Sequence, residues 1–263
     1  MFWALKIKMK SIRHISQAAL IAGMLMLSAC RPAQRDPYAP VLVTPAVQAT
    51  ETLGVSVQNR PIYMTAIGKG PETVLVMAAI HGNEDAGVPL VQQLIQVLRS
   101  RTDLHPTHTV LIIPIANPDG YALQSRMNAR GIDLNRNFPA SNRIDSAVFG
   151  QAGLTEPESQ ILYNLILTRQ PARIISIHQP LYCLDYDGPG EEIAQFMSYF
   201  CPLPVKKLGS RPGSLGSFAG TEQNIPIITM ELAEEDSRLS PHQLWLRYGP
   251  ALLAAITYPR PPY

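Results

Sequence analysis

Two histidines and a glutamate in this chain have the types and the placement to hold a metal ion. His81-Gly82-Asn83-Glu84 sets an imidazole three residues ahead of a carboxylate, and His178 supplies a second imidazole far along the chain. Both histidines directly follow apolar runs of strand length, at 73–80 and 174–177. Two imidazoles and one carboxylate give three protein donors and leave a fourth position open for a water to be activated, the arrangement of a catalytic zinc site. Donor chemistry alone permits other divalent ions. Glu231 stands at the end of a third apolar run, which begins at residue 225. The remaining candidates read as ordinary hydrogen-bonded residues. His105 and His108 flank a loop proline, and His242 lies in the first turn of a helix.

These side chains need a rigid frame. Residues 55–57 and 62–66, separated by Gln58-Asn59-Arg60-Pro61, predict a hairpin. The runs 73–80, 109–115, 174–177 and 225–232 are near-continuously apolar and predict strands buried on both faces. Val88, Val91, Leu94, Ile95 and Leu98 recur at helical spacing, so 85–100 reads as an amphipathic helix. Asn117-Pro118-Asp119-Gly120 reads as a turn. Thr155-Glu156-Pro157-Glu158 reads as a capping box opening a helix whose core face is Ile161, Leu162, Leu165 and Ile166. Ser240-Pro241 begins a last helix towards Thr257. Strands alternating with helices specify an α/β protein with helices on both sheet faces, and in such sheets functional residues gather beyond the carboxyl ends of strands.

Residues 117–139 add a third kind of signal. After Asn-Pro-Asp-Gly come Ser125-Arg126-Met127-Asn128-Ala129-Arg130-Gly131-Ile132-Asp133-Leu134-Asn135-Arg136-Asn137-Phe138-Pro139. With His-x-x-Glu before them, and a Ser-x-His strand end and a late Glu after them, five ordered elements span most of 73–235. On these elements the chain resembles the zinc carboxypeptidase superfamily. The resemblance implies a three-layer αβα sandwich with a mixed, mostly parallel central sheet. It implies one zinc ion per chain on His81, Glu84 and His178, with Asp133 orienting a ligand histidine. Asn135 and Arg136 would hold a substrate carboxylate, and Glu231 would be the general base. A cation beside the developing oxyanion would be Arg126 or Arg130. Arg126 is favoured, because Arg-x-Asn-x-x-Gly ahead of the Asp-Leu-Asn-Arg run resembles the bacterial pattern, and Arg130 stays as a second substrate contact.

The match departs from the larger digestive members, which carry a mobile tyrosine some twenty residues before the base. Residues 208–218 contain none, and the domain is short. Pro212-Gly213-Ser214-Leu215-Gly216-Ser217 is similar instead to bacterial members that cut an amide bond in peptidoglycan stem peptides, the γ-D-glutamyl–meso-diaminopimelate bond. Glycines 209, 213 and 216 would let that loop close over a substrate. One rival reading is a metallo-deacylase of N-acyl amino acids, resembling succinylglutamate desuccinylases and aspartoacylases, which share His-x-x-Glu and Asp-x-Asn-Arg. Another is a non-catalytic lipoprotein that binds murein on a decayed site. Retention of Glu231 argues against decay, since binding needs no base.

The N-terminus predicts export. Lys6, Lys8, Lys10 and Arg13 precede an apolar stretch at 18–27, too short to span ~30 Å of hydrocarbon with ease. Leu27-Ser28-Ala29-Cys30 resembles a lipobox, which implies cleavage after residue 29 and a lipid anchor on Cys30. Domain organisation then reads as a signal peptide at 1–29, a lipidated, proline-rich tether at 30–54 and a catalytic domain at 55–263. Arg31, where an aspartate would favour inner-membrane retention, points to the periplasmic face of the outer membrane if the source is Gram-negative. Cys183 and Cys201 are expected to form a disulfide in that oxidising compartment, with two buried thiols as the alternative. The chain has 22 Lys+Arg against 20 Asp+Glu, and four of the basic residues lie in 1–29, which leaves 18 against 20. With no clustered basic excess, no nucleic-acid partner is expected. Oligomeric state is not legible.

Overall fold

Aliphatic runs with no polar face build the middle of the molecule. The computed structural model describes residues 48–105 and 107–262. Its strands are Gln48–Val55 (β1), Pro61–Gly68 (β2), Glu72–Ala78 (β3), His108–Ile113 (β4), Arg173–His178 (β5), Leu181–Asp187 (β6) and Ile227–Ala233 (β7). They form one seven-stranded sheet in the order β1-β2-β4-β3-β5-β7-β6. The central β4, β3, β5 and β7 are parallel, and β2 and β6 run against them at the two sides. Every residue of β5 is buried, as a parallel strand covered on both faces must be.

Two helical layers supply that cover. On one face lie Gly87–Ser100 (α1), Glu191–Ser198 (α4) and Pro241–Thr257 (α5), and their apolar stripes close a core with Val76, Ile175, Ile177 and Ile228. α1 buries Val88, Val91, Leu94, Ile95 and Leu98, the stripe expected from spacing. α5 starts at a capping box in which Ser240 and Gln243 each bond the other's backbone N–H, with Pro241 in the first turn. On the other face Pro157–Arg169 (α3) and the π-helical turn Gly216–Glu222 pack over Leu75, Met77 and Ile174. Phe138 and Phe218 stack there, with ring centroids 5.8 Å apart. Three layers around a mixed sheet are thus observed.

Several expectations are corrected in detail. β1 begins at Gln48, so residues 48–54, expected as the end of the tether, are strand, paired along β2. The rest of the tether, the signal segment and Cys30 lie outside the described residues. Asn117-Pro118-Asp119-Gly120 opens a short helix, Pro118–Leu123 (α2), because the Asn117 side chain caps it by accepting from Gly120 N at 2.9 Å. The capping box at α3 is not formed. Glu156 is its N-cap residue and its side chain makes no capping bond, while Thr155 accepts from Asn137 Nδ2. Both Cys183 and Cys201 are free thiols. Cys183 is buried on β6 with burial pushing its thiol up to about 11, while Cys201 turns to the Met197 carbonyl beyond α4, so packing rather than a crosslink occupies them.

Candidate active site

The donors come together because three neighbouring parallel strands stop at one edge. β3 releases the chain through Ala79, which takes a left-handed φ of 51°. The departing segment is held by Ala116 N to Ala78 O and Asn117 N to Ala79 O, at 3.0 and 2.9 Å. The His81–Glu84 turn then rests directly on α2. A Cβ on Gly82 would lie 1.9 Å from the Gly120 backbone, so only a glycine allows this approach. The Asn-Pro-Asp-Gly motif therefore acts as the seat of the His-x-x-Glu turn. β5 ends on His178, and in the β5–β7 register His178 sits opposite Glu231.

His81, Glu84 and His178 are all buried, and one ligand atom from each lies within 4.8 Å of the others. His81 Nδ1 is 2.7 Å from Glu84 Oε1, and His178 Nδ1 is 2.8 Å from Glu84 Oε2. The far nitrogens are held from behind: His81 Nε2 lies 3.1 Å from Asp133 Oδ1, and His178 Nε2 lies 3.0 Å from Ser176 Oγ. A carboxylate can only accept, so Asp133 holds a proton on His81 Nε2, and with a metal ion bound Nδ1 would be left free to turn its lone pair to the ion. This set fits a zinc ion, with two oriented imidazoles and one carboxylate converging in a shielded place. Burial opposes the ionisation of Glu84, but the two imidazoles outweigh it and hold its carboxyl well below the usual carboxylate range. Asp133 is likewise held low against burial, by the His81 hydrogen bond and charge and by Arg126 and Arg136. Burial lowers His81, and its bonds to Asp133 and Glu84 more than restore it, so its pKa is raised.

These residues open into a cavity of about 430 Å³. Glu231 lines it, buried, with burial pushing its carboxyl up. Arg126 reaches the cavity as well, donating from Nη1 to Glu84 Oε1 at 3.0 Å and from Nε to Asp133 Oδ2 at 3.1 Å. Arg130 does not. Its guanidinium turns to Glu156 at 3.4 Å, away from the cavity lining, so its place as a substrate contact is corrected. The neighbouring Asn128 turns the same way, donating to Glu156 and Glu158. The Asp-Leu-Asn-Arg-Asn-Phe run divides its labour between site and core. Asp133 backs His81, while Leu134 and Phe138 enter the core. Asn135 and Arg136 line the cavity, and buried Asn137 donates to Phe149 O and accepts from Ser159 Oγ.

Residues 208–216 form the opposite wall, tied down by Leu215 N donating to Asn135 Oδ1 at 2.9 Å. Of the glycines expected to let this loop close, Gly216 serves fit: a Cβ there would fall 2.0 Å from Asp187 Oδ2. Among the lining residues that were missed are Arg211, Thr229, Asp185 and Asp187. Gln179 was missed too. Its side chain spans from Ala86 N to Ala233 O at 3.0 and 2.8 Å and so joins the start of α1 to the end of β7. A histidine followed by glutamine is no signal for this.

A sheet ending in two imidazoles and a carboxylate, with a further buried glutamate and arginines around one cavity, defines a metal-dependent peptidase or amidase. A model of the zinc carboxypeptidase family matches residues 43–183, and the chain belongs to that family. Murein peptide amidase A of Escherichia coli K12 is 35% identical over 201 residues, 69% of this chain and 80% of the relative. The Vibrio campbellii protein of the same name is 28% identical over 216 residues, 75% of this chain and 83% of the relative. Among solved structures, the murein-tripeptide amidase MpaA of Escherichia coli O157 superposes with a TM-score of 0.62 at 28% identity, covering 83% of this chain and 99% of that one. Carboxypeptidase A of Helicoverpa armigera shares the fold with a TM-score of 0.64 at 21% identity, covering 81% of this chain and 69% of that one.

Proposed function

We propose that the chain hydrolyses an amide bond of peptidoglycan stem peptides, the γ-D-glutamyl–meso-diaminopimelate bond, as a zinc enzyme. The hydrolytic reading is carried by Glu231, which lines the same cavity as the convergent His81, Glu84 and His178 donors. The murein substrate is supported by the named relatives that align over most of both chains. Zinc on the three donors would supply Lewis acidity at the scissile carbonyl and lower the pKa of a water. The chain's own residues do the rest. Glu231 takes the proton of the attacking water and returns it to the leaving amine. Arg126 offers its guanidinium to the oxygen that becomes negative, and the Asn135–Arg136 pair grips a substrate carboxylate. Incubation with L-Ala-γ-D-Glu-meso-diaminopimelate should release free diaminopimelate, and a chelator should stop it. Turnover of N-acyl amino acids alone would replace this reading with a deacylase, and tripeptide binding without turnover would replace it with a binding protein.

We further propose that residues 1–29 export the chain and that Cys30 carries a lipid anchor on the periplasmic side of a membrane. The lipobox-like Leu27-Ser28-Ala29-Cys30 supports this, and peptidoglycan is met in that compartment. Mass spectrometry of the mature protein should find Cys30 first and acylated; an unmodified Cys30 overturns the anchor.

A further inference from the structure

β5 lies between β3 and β7, so the chain leaving its end has a neighbour on each side. The ladder to β3 ends at Ala78 opposite Ile177, and the ladder to β7 ends at Glu231 opposite His178. Backbone pairing to β5 therefore stops level with the base. β7 runs two residues further, to Ala233, with Leu181 of β6 opposite it.

The Gln179 side chain takes over where these ladders stop. Its Oε1 accepts from Ala86 N at 3.0 Å, and its Nε2 donates to Ala233 O at 2.8 Å. Glu234 O and Ser237 Oγ also lie within reach of Nε2, at 3.4 and 3.1 Å. The backbone N of Gln179 donates to Glu84 Oε2 at 3.3 Å. Ala86 stands two residues beyond Glu84, Ala233 two beyond Glu231, and His178 directly precedes Gln179. One carboxamide thus bridges the segments that carry two donors and the base. Ala233 is gripped a second time, its N donating to Asp236 Oδ2 at 2.9 Å. Fully buried Asp236 is held in turn by Tyr248 and Arg247 of α5.

Gln179 also lines the cavity, but its polar atoms are committed. An amide nitrogen has two hydrogens, and three acceptors already surround Nε2. No N–H is spare for a substrate. The two-sided task also explains the residue type. A carboxamide accepts from an N–H and donates to a carbonyl, whereas glutamate could serve only the Ala86 side and methionine neither.

We propose that Gln179 is a positioning residue for Glu231: it fixes the end of β7 against the Glu84 turn and so sets the base relative to the metal donors, given Glu231 as the base. A general base must stand within about 2.6–3.2 Å of its proton, and misplacement by ~1 Å can cost about a hundredfold. The donors depend less on this amide. Asp133 and Ser176 hold the two histidines from behind, and the bond from Gln179 N to Glu84 is made by the backbone.

The test uses zinc-loaded full-length protein and L-Ala-γ-D-Glu-meso-diaminopimelate. Gln179→Met keeps the length of the side chain and removes both polar ends. Its kcat should fall roughly 10- to 100-fold, with KM little changed and zinc still at one ion per chain. In a Glu231→Gln background the same change should cost nothing more, because a base that is absent cannot be misplaced. Wild-type kcat, an equal loss in both backgrounds, or a loss that merely follows zinc content overturns the proposal. Gln179→Glu keeps the Ala86 contact and loses the Ala233 one, so it should match Gln179→Met; wild-type kcat there overturns the β7 arm. It also replaces Gln179→Met in the cycle if that variant does not fold. Amide hydrogen exchange reads the bridge without turnover. Ala86 and Ala233 should exchange faster in Gln179→Met, with the β3–β5 ladder unchanged. If wild type cuts no γ-glutamyl substrate, that result upholds the bridge and the failure belongs to the assigned reaction. Unchanged exchange at both ends overturns the bridge.

Discussion

Glu231→Gln should lower kcat/KM by about 10³- to 10⁴-fold while zinc content stays at one ion per chain. General-base transfer contributes at most about four decades, and a glutamine amide cannot accept and return a proton. The change keeps the side chain's size at a buried position between β5 and β6, so β7 should hold its register with His178. That separates this variant from one that merely unfolds. The pH profile gives a second readout. Burial pushes the Glu231 carboxyl above its ordinary value, and the base works only when ionised. Wild-type kcat/KM should therefore fall as pH drops through a pKa above that of a free glutamate. The residual activity of Glu231→Gln should lack that limb. Retained activity with an unchanged acid limb would mean that another group is the base.

What the sequence could show of this centre follows from physics that acts along the chain. His81, His178 and Glu231 were legible because each closes an apolar run, and buried parallel strands deliver their next residues to one edge. Asp133, Asn135 and Arg136 were legible only through resemblance, since nothing in a short loop turn betrays that its first residue reaches back to His81. β6 was illegible for the opposite reason. Leu181-Tyr182-Cys183-Leu184-Asp185-Tyr186-Asp187 sends two carboxylates to a covered face, which breaks the pattern by which strands are recognised. Arg211 sits in a loop without periodicity, so only the folded chain brings it beside Arg136. The Asn-Pro-Asp-Gly motif reads locally as a turn, yet its use depends on the contact between Gly120 and Gly82, thirty-eight residues apart in sequence. Arg126 and Arg130 lie four residues apart and differ in what they meet, Glu84 for one and Glu156 for the other.

Removing a donor should have an effect as large as removing the base, through a different quantity. His178→Ala leaves one imidazole and one carboxylate, and zinc affinity should fall on the order of a thousandfold. That estimate takes the ~10–16 kcal/mol with which zinc-finger peptides hold structural zinc as the scale and divides it among the donors, so that each accounts for several kcal/mol. Equilibrium dialysis after chelation should read the loss directly, and activity should vanish with the metal instead of persisting at the level of Glu231→Gln. The fold should survive, because His178 is the last residue of β5 and the strand's packing lies in Ile174, Ile175 and Ile177 beneath it. Asp133→Asn should be graded between these extremes. Asparagine can still accept from Asn135 N, as Asp133 does at 3.0 Å, so the local turn is kept. The charge behind His81 and beside Arg126 is lost, however, and backing groups of this kind are worth about 10- to 100-fold in metal affinity. Zinc affinity should therefore rank wild type above Asp133→Asn and Asp133→Asn above His178→Ala, with melting temperatures of the metal-free proteins close together. If His178→Ala binds zinc as tightly as wild type, the donor set is wrong. If Asp133→Asn costs no affinity, the Asp133 contact does not orient His81, and the proton on Nε2 must be held by other means.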